Sequence, residues 1–363
     1  MYLSSVILAF LASKALSYDT SLGFNTPQTN EDRTIDEIYQ AALAEGGVVT
    51  CWHGGDEVTQ QDGLKRAFET RFPGMTLNIT VNRSKYHSVN VDRQLARSGG
   101  GRPLEVDTII LQALQDYPRW DAQGALLHYA PVNYMKVLAP FRHIRAAYYG
   151  FAINAWSTVW NTEKLASPPR EWPDFLKPEY KDKIVLTHPS DDDAVAYIFD
   201  LIMNQYGPEW LDGFLANNPR WVRGTASPLA VLRQPNSTQS VTFSASIGLR
   251  PSGALNVSFP SEGLFVSWPR SVAIFKDAPH PESAKLFANF LLDDGFQRNL
   301  TQWSARKDIA PPGGYPGILD VESTNSAEYL RFMADRGRVE ALRMMFEDRI
   351  GMPQGPSPLV DDL

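Results

Sequence analysis

The stretch TIDEIYQAALAEGGVVTCWHGGD, residues 34–56, sets a helix directly against a strand and ends on a glycine turn. Thr34 stands where a helix cap belongs. The apolar residues Ile35, Ile38, Tyr39, Ala42 and Leu43 recur at helical spacing until Gly46-Gly47 stops the run. Val48 to Trp52 is then nearly continuous in apolar side chains, as in a strand covered on both faces. His53-Gly54-Gly55-Asp56 closes that strand before a second helix expected from about Val58 to Phe72. The order helix, strand, Gly-rich turn, helix points to an α/β protein.

Working outward, Pro73-Gly74 breaks the second helix and Met75 to Val81 alternates like a strand. A helix over about His87 to Ser98, the Gly99-Gly100-Gly101 turn and an apolar run from Val106 to Leu111 continue the alternation, which reads as a parallel, doubly wound sheet. A second unit runs from Tyr148 to about Val266. It carries strands at 149–153, 158–160 and 183–186, and a helix from near Ser190 that Tyr206-Gly207-Pro208 ends. Two further strands, 264–268 and 272–275, precede a helix whose Ala284, Phe287, Ala288 and Leu291 share a face. A last helix covers about 327–349, and the Gly/Pro-rich tail 351–363 reads as loose.

The 363 residues carry 34 Lys plus Arg against 41 Asp plus Glu, a formal charge of −7. That balance, with no basic block, argues against nucleic acid as a partner, because phosphate binding rests on clustered positive charge. Residues 1–17 contain an apolar run from Val6 to Ala12 and small residues around Ala15-Leu16-Ser17, which read as a secretory signal peptide. No later stretch reaches the roughly 18 apolar residues that span a bilayer. Five sequons, at Asn78, Asn82, Asn236, Asn256 and Asn299, together with the leader suggest a secreted, extracellular eukaryotic glycoprotein. The single Cys51 lies in an apolar strand and reads as a structural thiol. Six scattered His and one Cys give no metal-ligand spacing, and neither a G-x-S-x-G elbow nor a P-loop is present, so neither metal nor cofactor is expected.

The order of several segments resembles the extracellular solute-binding proteins of ABC importers, with the type II periplasmic-binding fold, in the branch of iron(III), thiamine and polyamine binders. The carriers are Ile38 to Gly47, Leu64 to Glu69, Val159 to Glu163, Pro169 to Phe175 with Lys181 to Ile184, and His280 to Leu291, across about residues 33–315. The resemblance implies two α/β lobes joined by crossing strands, lobe one from 33–147 plus 267–350 and lobe two from 148–266, with a ligand cleft between them. It implies a monomer that captures a small polar molecule by hinge closure. An enzyme acting on a small metabolite with the same scaffold is the alternative.

Candidate ligand contacts follow from the turns where strands meet helices. His53 and Gly54 end the first strand before a helix, where exposed N–H groups are expected to hold an anionic group beside an imidazole; the alternative is a capped turn with a solvated His. Ser84 and Tyr86 lie at a helix start and offer a hydroxyl and a stacking face, or merely cap the helix. Ser190 and Asp191 open a lobe-two helix and are expected to receive a cationic or hydroxylated ligand, or to offset the helix dipole. Thr225 and Ser227 precede the next helix as hydroxyl donors. Iron binders of the related branch use an adjacent tyrosine pair in the segment that here reads Val241 to Ala245; the pair is absent, which disfavours ferric iron. Tyr148-Tyr149 is such a pair at the first crossing strand, and Tyr149 is a ligand candidate with core packing as its alternative.

Overall fold

A computed structural model describes residues 28–98, 104–355 and 359. The expected signal peptide and the Gly99-Gly100-Gly101 turn lie outside them, as does most of the expected loose tail. Among the described residues the first strand, β1 (Thr29–Asn30), pairs only with β5 (Tyr129–Ala130). Helix α1 (Ile35–Ala44) starts on a capping box: the Glu37 N–H donates to Thr34 Oγ1 at 3.3 Å and the Thr34 N–H to Glu37 Oε2 at 2.7 Å. Strand β2 (Val48–Gly54) follows at once. Its Val49, Cys51 and His53 are buried, while Thr50 and Trp52 are only partly covered, so it is not enclosed on both faces as its apolar run suggests. Trp52 instead stacks on His87 of an overlying helix at 5.2 Å.

Helix α2 (Asp62–Arg71), β3 (Thr76–Asn82), α3 (Ser84–Ser98), β4 (Thr108–Leu111) and α4 (Asp116–Ala122) extend the α/β alternation. Strand β6 (Tyr149–Ala155) passes through the single residue Trp156 into β7 (Ser157–Asn161). The second half of the fold adds β8 (Val185–Thr187), α5 (Asp193–Tyr206), α6 (Glu209–Leu215), β9 (Arg220–Val222), α7 (Ser227–Arg233), β10 (Val241–Ala245) and β11 (Leu255–Ser258). The chain returns through β12 (Ser267–Ile274) to α8 (Pro281–Leu291), α9 (Asp294–Gln297), β13 (Trp303–Ser304), α10 (Glu328–Ala334) and α11 (Arg336–Ile350).

The strands make a six-stranded sheet, order β13-β6-β12-β4-β2-β3, and a three-stranded sheet, order β10-β7-β11, with β8 paired to β9. The larger sheet is parallel across β3, β2 and β4 and antiparallel from β12 outward, so it is mixed rather than wholly parallel. Helix α8 packs on α1, and the Glu45 carboxylate at the end of α1 accepts the first-turn N–H groups of Glu282 and Ser283 at 3.1 and 2.9 Å. A second apolar cluster, Val159, Val185, Val231, Leu232, Leu255 and Val257, lies on the smaller sheet.

Two local differences matter for the site. Sequence reading splits 264–275 into two strands at Pro269, whereas β12 runs through it. Pro269 lies where β12 has only β6 as a neighbour, so its missing N–H breaks no ladder, and the register with β6 shifts between Arg270 and Ser271. The expected last helix is broken at Asp335, whose carboxylate accepts the Arg338 N–H at 3.1 Å and so starts α11 afresh.

Candidate functional site

The carboxyl ends of β2 and β4 stop beneath a cleft of about 730 Å³, the position where parallel strands leave loops and helix starts facing open space. From the larger sheet it is lined by His53, Gly54, Asp56, Ser84, Gln112 and Arg270, and from the opposite side by Asp191, Asp192 and Thr225. A Cβ on Gly54 would collide with Ser84 Oγ, so glycine is what allows the start of α3 to close on the end of β2. Ser84 Oγ in turn accepts the Gln112 N–H at 3.1 Å, tying α3 to the β4–α4 turn.

Among the described residues, three pairs make polar contact across the cleft. Arg83 Nη1 donates to Asp191 Oδ1 at 3.3 Å, and both side chains are 5% exposed. Gln112 Nε2 donates to the two Asp192 carboxylate oxygens at 3.2 and 3.1 Å. Asp56 Oδ2 accepts both the backbone N–H of Thr225, at 2.9 Å, and its hydroxyl. Asp192 also caps α5 by accepting the Ala194 and Val195 N–H groups at 2.8 and 3.1 Å. Burial, then the like charges of Asp56 and Asp193, push its carboxyl up to about 7.

Arg270, at the register shift of β12, is the unusual cation here. Its Nη2 lies 2.7 Å from His53 Nε2 and donates to Gln61 Oε1 at 3.2 Å. The other imidazole nitrogen, Nδ1, is 2.6 Å from the Gly54 carbonyl, which fixes it as the protonated one and leaves Nε2 as an acceptor. Burial first, and the Arg270 charge second, hold His53 far below the ordinary histidine range, so the ring is neutral. Desolvation lowers Arg270 itself to about 10. Trp156 lines the same cleft, is 6% exposed and stands edge-on to Trp268 at 4.9 Å. Its indole N–H has no hydrogen-bond partner among the described residues.

Of the residues singled out in the sequence, His53, Gly54, Ser84, Asp191 and Thr225 share this cleft. The others are placed elsewhere. Tyr149 is buried in the core, its hydroxyl donating to the Ala288 carbonyl at 2.8 Å and its ring edge-on to Tyr134. Ser190 Oγ donates to the Arg343 carbonyl of α11 at 3.2 Å, a long-range bond, and Ser227 Oγ back-bonds locally to the Arg223 carbonyl at 2.7 Å, so neither hydroxyl is among the cleft-lining groups. Tyr86 lies under the Lys85 ammonium, 5.3 Å from its ring centre, and does not line the cleft. Asp191 is not placed to receive a cationic ligand: besides Arg83 it accepts from Arg223 at 3.2 Å and from the Gly224 N–H at 2.8 Å. Arg270, Trp156, Gln112 and Asp192 were not among the candidates. Among the described residues no cluster of His, Cys, Asp and Glu could hold a metal ion.

Residues 122–320 match the family described as bacterial extracellular solute-binding protein. Among curated proteins, the chain is 24% identical over 292 residues to the phosphoglycerate transport regulatory protein PgtC of Salmonella typhimurium, covering 72% of this chain and 65% of that one. It thus spans just under two thirds of that relative's length. Similar solved structures include the substrate-binding protein of an ABC transporter from Agrobacterium tumefaciens, with TM-score 0.67, 11% identity, and 85% of this chain and 96% of that one covered. Another is AfuA of Actinobacillus pleuropneumoniae with fructose-6-phosphate bound, with TM-score 0.63, 14% identity, and 84% and 99% covered. Iron-bound HitA of Pseudomonas aeruginosa gives TM-score 0.59, 12% identity, and 82% and 99% covered. At these identities the structures speak for the two-lobed fold and not for a ligand.

Proposed function

The chain belongs to the bacterial extracellular solute-binding protein family, and from that premise we propose that it captures a small polar solute by closing two lobes around the cleft. The observation that carries this reading is the set of three cross-cleft contacts, Arg83 to Asp191, Gln112 to Asp192 and Asp56 to Thr225. Each joins the face built on the larger sheet to a turn at the start of a helix on the other side, so all three break if the cleft opens. The larger sheet, β6 and β12 included, forms one lobe, so the boundary falls near Trp156 rather than at residue 148; the smaller sheet with β8 and β9 forms the other, the crossing strands supply the hinge, and α11 is seated against α5. His53, Gly54, Ser84 and Thr225 contact the solute, and Asp191 acts as a latch rather than a ligand group.

The protein works as a monomer outside the cell, after removal of the leader, and it is a glycoprotein of a eukaryotic relative of the family. Asn78, Asn236 and Asn299 are exposed and accept glycans. Asn82 and Asn256 are partly covered, each holding the next residue's N–H through its own amide oxygen at 2.8 Å, and are occupied less. The test is a native mass spectrum of the protein secreted by its own source, repeated after peptide N-glycosidase and again under denaturing conditions. The expected result is loss of glycan mass, then release of one small molecule recovered chemically unchanged. Absence of any retained solute, with no thermal stabilisation across a metabolite library, would contradict capture.

A further inference from the structure

We propose that the captured solute carries an oxyanion, phosphate or carboxylate, which pairs with the guanidinium of Arg270. This rests on the reading of the cleft as the solute site and adds the ligand's charge to it. The lining carboxylates of Asp191, Asp193, Asp92 and Asp116 are matched by arginines: Asp191 by Arg83 and Arg223, Asp193 by Arg336 and Arg343, Asp92 and Asp116 by Arg119. Asp56 and Asp192 accept their hydrogen bonds from neutral donors. Glu57, at the cleft mouth, is the one lining carboxylate without such a partner among the described residues, so the acidic side of the site is otherwise engaged.

Arg270 is not. No carboxylate among the described residues lies within ion-pair distance of it; its partners there are a neutral imidazole, an amide oxygen and the face of Phe151, 5.3 Å from the guanidinium carbon, none of which carries a negative charge. A desolvated guanidinium without a counter-charge is costly to hold, whereas one anion would both neutralise it and match its planar fork of donors. His53 serves as a positioning residue. Because its Nδ1–H is committed to the Gly54 carbonyl, it offers Arg270 an acceptor without adding charge, and the remaining guanidinium N–H groups stay free for the solute. The unpartnered Trp156 N–H is a second donor in the same cleft. The same charge excludes a bare metal cation beside Arg270, in line with the missing tyrosine pair at Val241 to Ala245.

The test is calorimetric titration of the full chain at constant ionic strength, with sodium phosphate, glycerate and 3-phosphoglycerate as oxyanion probes and glycerol as the neutral control. The expected result is that at least one oxyanion binds while glycerol does not, with the phosphate and glycerate arms telling which oxyanion is read. Arg270→Gln should weaken that probe by about 10- to 100-fold, the usual range for loss of a charge-assisted hydrogen bond, and Arg270→Lys by much less. His53→Leu should weaken it while His53→Gln, which restores an acceptor, recovers binding. A merely structural role for His53 would give equal losses in both.

Melting curves of each variant establish that it is folded, and His53→Leu stands in if Arg270→Gln is not. Unchanged affinity in a folded Arg270→Gln overturns the proposal. Failure of every oxyanion also overturns it. If a neutral or cationic solute from a metabolite library still binds, the capture reading survives alone.

Discussion

Asp192 is one carboxylate asked to do two jobs, capping α5 and receiving Gln112 from across the cleft, in a wall it shares with Asp56 and Asp193. Its pKa in the folded, closed protein, about 7, is above that of an ordinary carboxylate. The proton is thus held more tightly in the closed fold, and the stability linked to it is fullest below the ordinary carboxylate pKa and is lost as pH rises through about 7. Asp192→Asn keeps an oxygen for the helix N–H groups and removes the charge. It should therefore raise the melting temperature at pH 8 and flatten its dependence between pH 5 and 8; a variant that melts earlier at pH 8 with the same slope would show that the ionised form is the stabilising one. At this scale the sequence was partly legible. His53, Gly54, Ser84 and Thr225 could be picked because glycines and hydroxyls at strand–helix turns are local signals, while Ser190 and Ser227 carry the same signal and bond to backbone instead. Arg270 lies in a strand, and Trp156 between two strands, whose neighbours read as core, and nothing local announces a register shift.

Element boundaries follow the same logic. The box at Thr34 and Glu37 starts α1, and α1 carries Ile38 and Ala42, both fully buried, against the fold. Thr34→Ala should cost about 0.5 to 2 kcal/mol, read as a lower urea midpoint with an unchanged slope, since the loss is of a cap and not of compactness. No change in midpoint would mean that packing of α1 on α8 alone fixes its start. The helices expected before Pro73, near Ser190 and after Pro279 are recoverable because periodicity and caps are short-range. The run through Pro269 was misjudged for a physical reason: a proline ends a strand only when its N–H would have been used, and which side of a strand is unpaired depends on partners far away in the chain. The break at Asp335 was equally hidden, since an Asp inside a helical pattern becomes a cap only when the preceding turn ends there.

For the molecule as a whole, the parts that sequence could not bring together are those that make the cleft. Asp56 and Thr225, Arg83 and Asp191, and Gln112 and Asp192 are each separated by most of a lobe along the chain, so their meeting is a property of the fold and of its closed state. Arg336 and Arg343 reach the same region from the C-terminal helix and hold Asp193 at the start of α5. These contacts are individually modest and reversible, as a capture device requires, and a solute that touches both faces shifts the population toward closure by its preference for that state. Closure of the cleft is read from the distance between its rims. Val58, 74% exposed beyond β2, and Gln234, exposed just after α7, take labels as Val58→Cys and Gln234→Cys. Cys51 stays unlabelled, being buried with its thiol pushed up to about 12. With the protein stripped of solute and then titrated with a metabolite library, the distance should be longer in the stripped protein and shorter with each solute that binds. One distance throughout, while an independent assay reports a solute bound, would contradict closure.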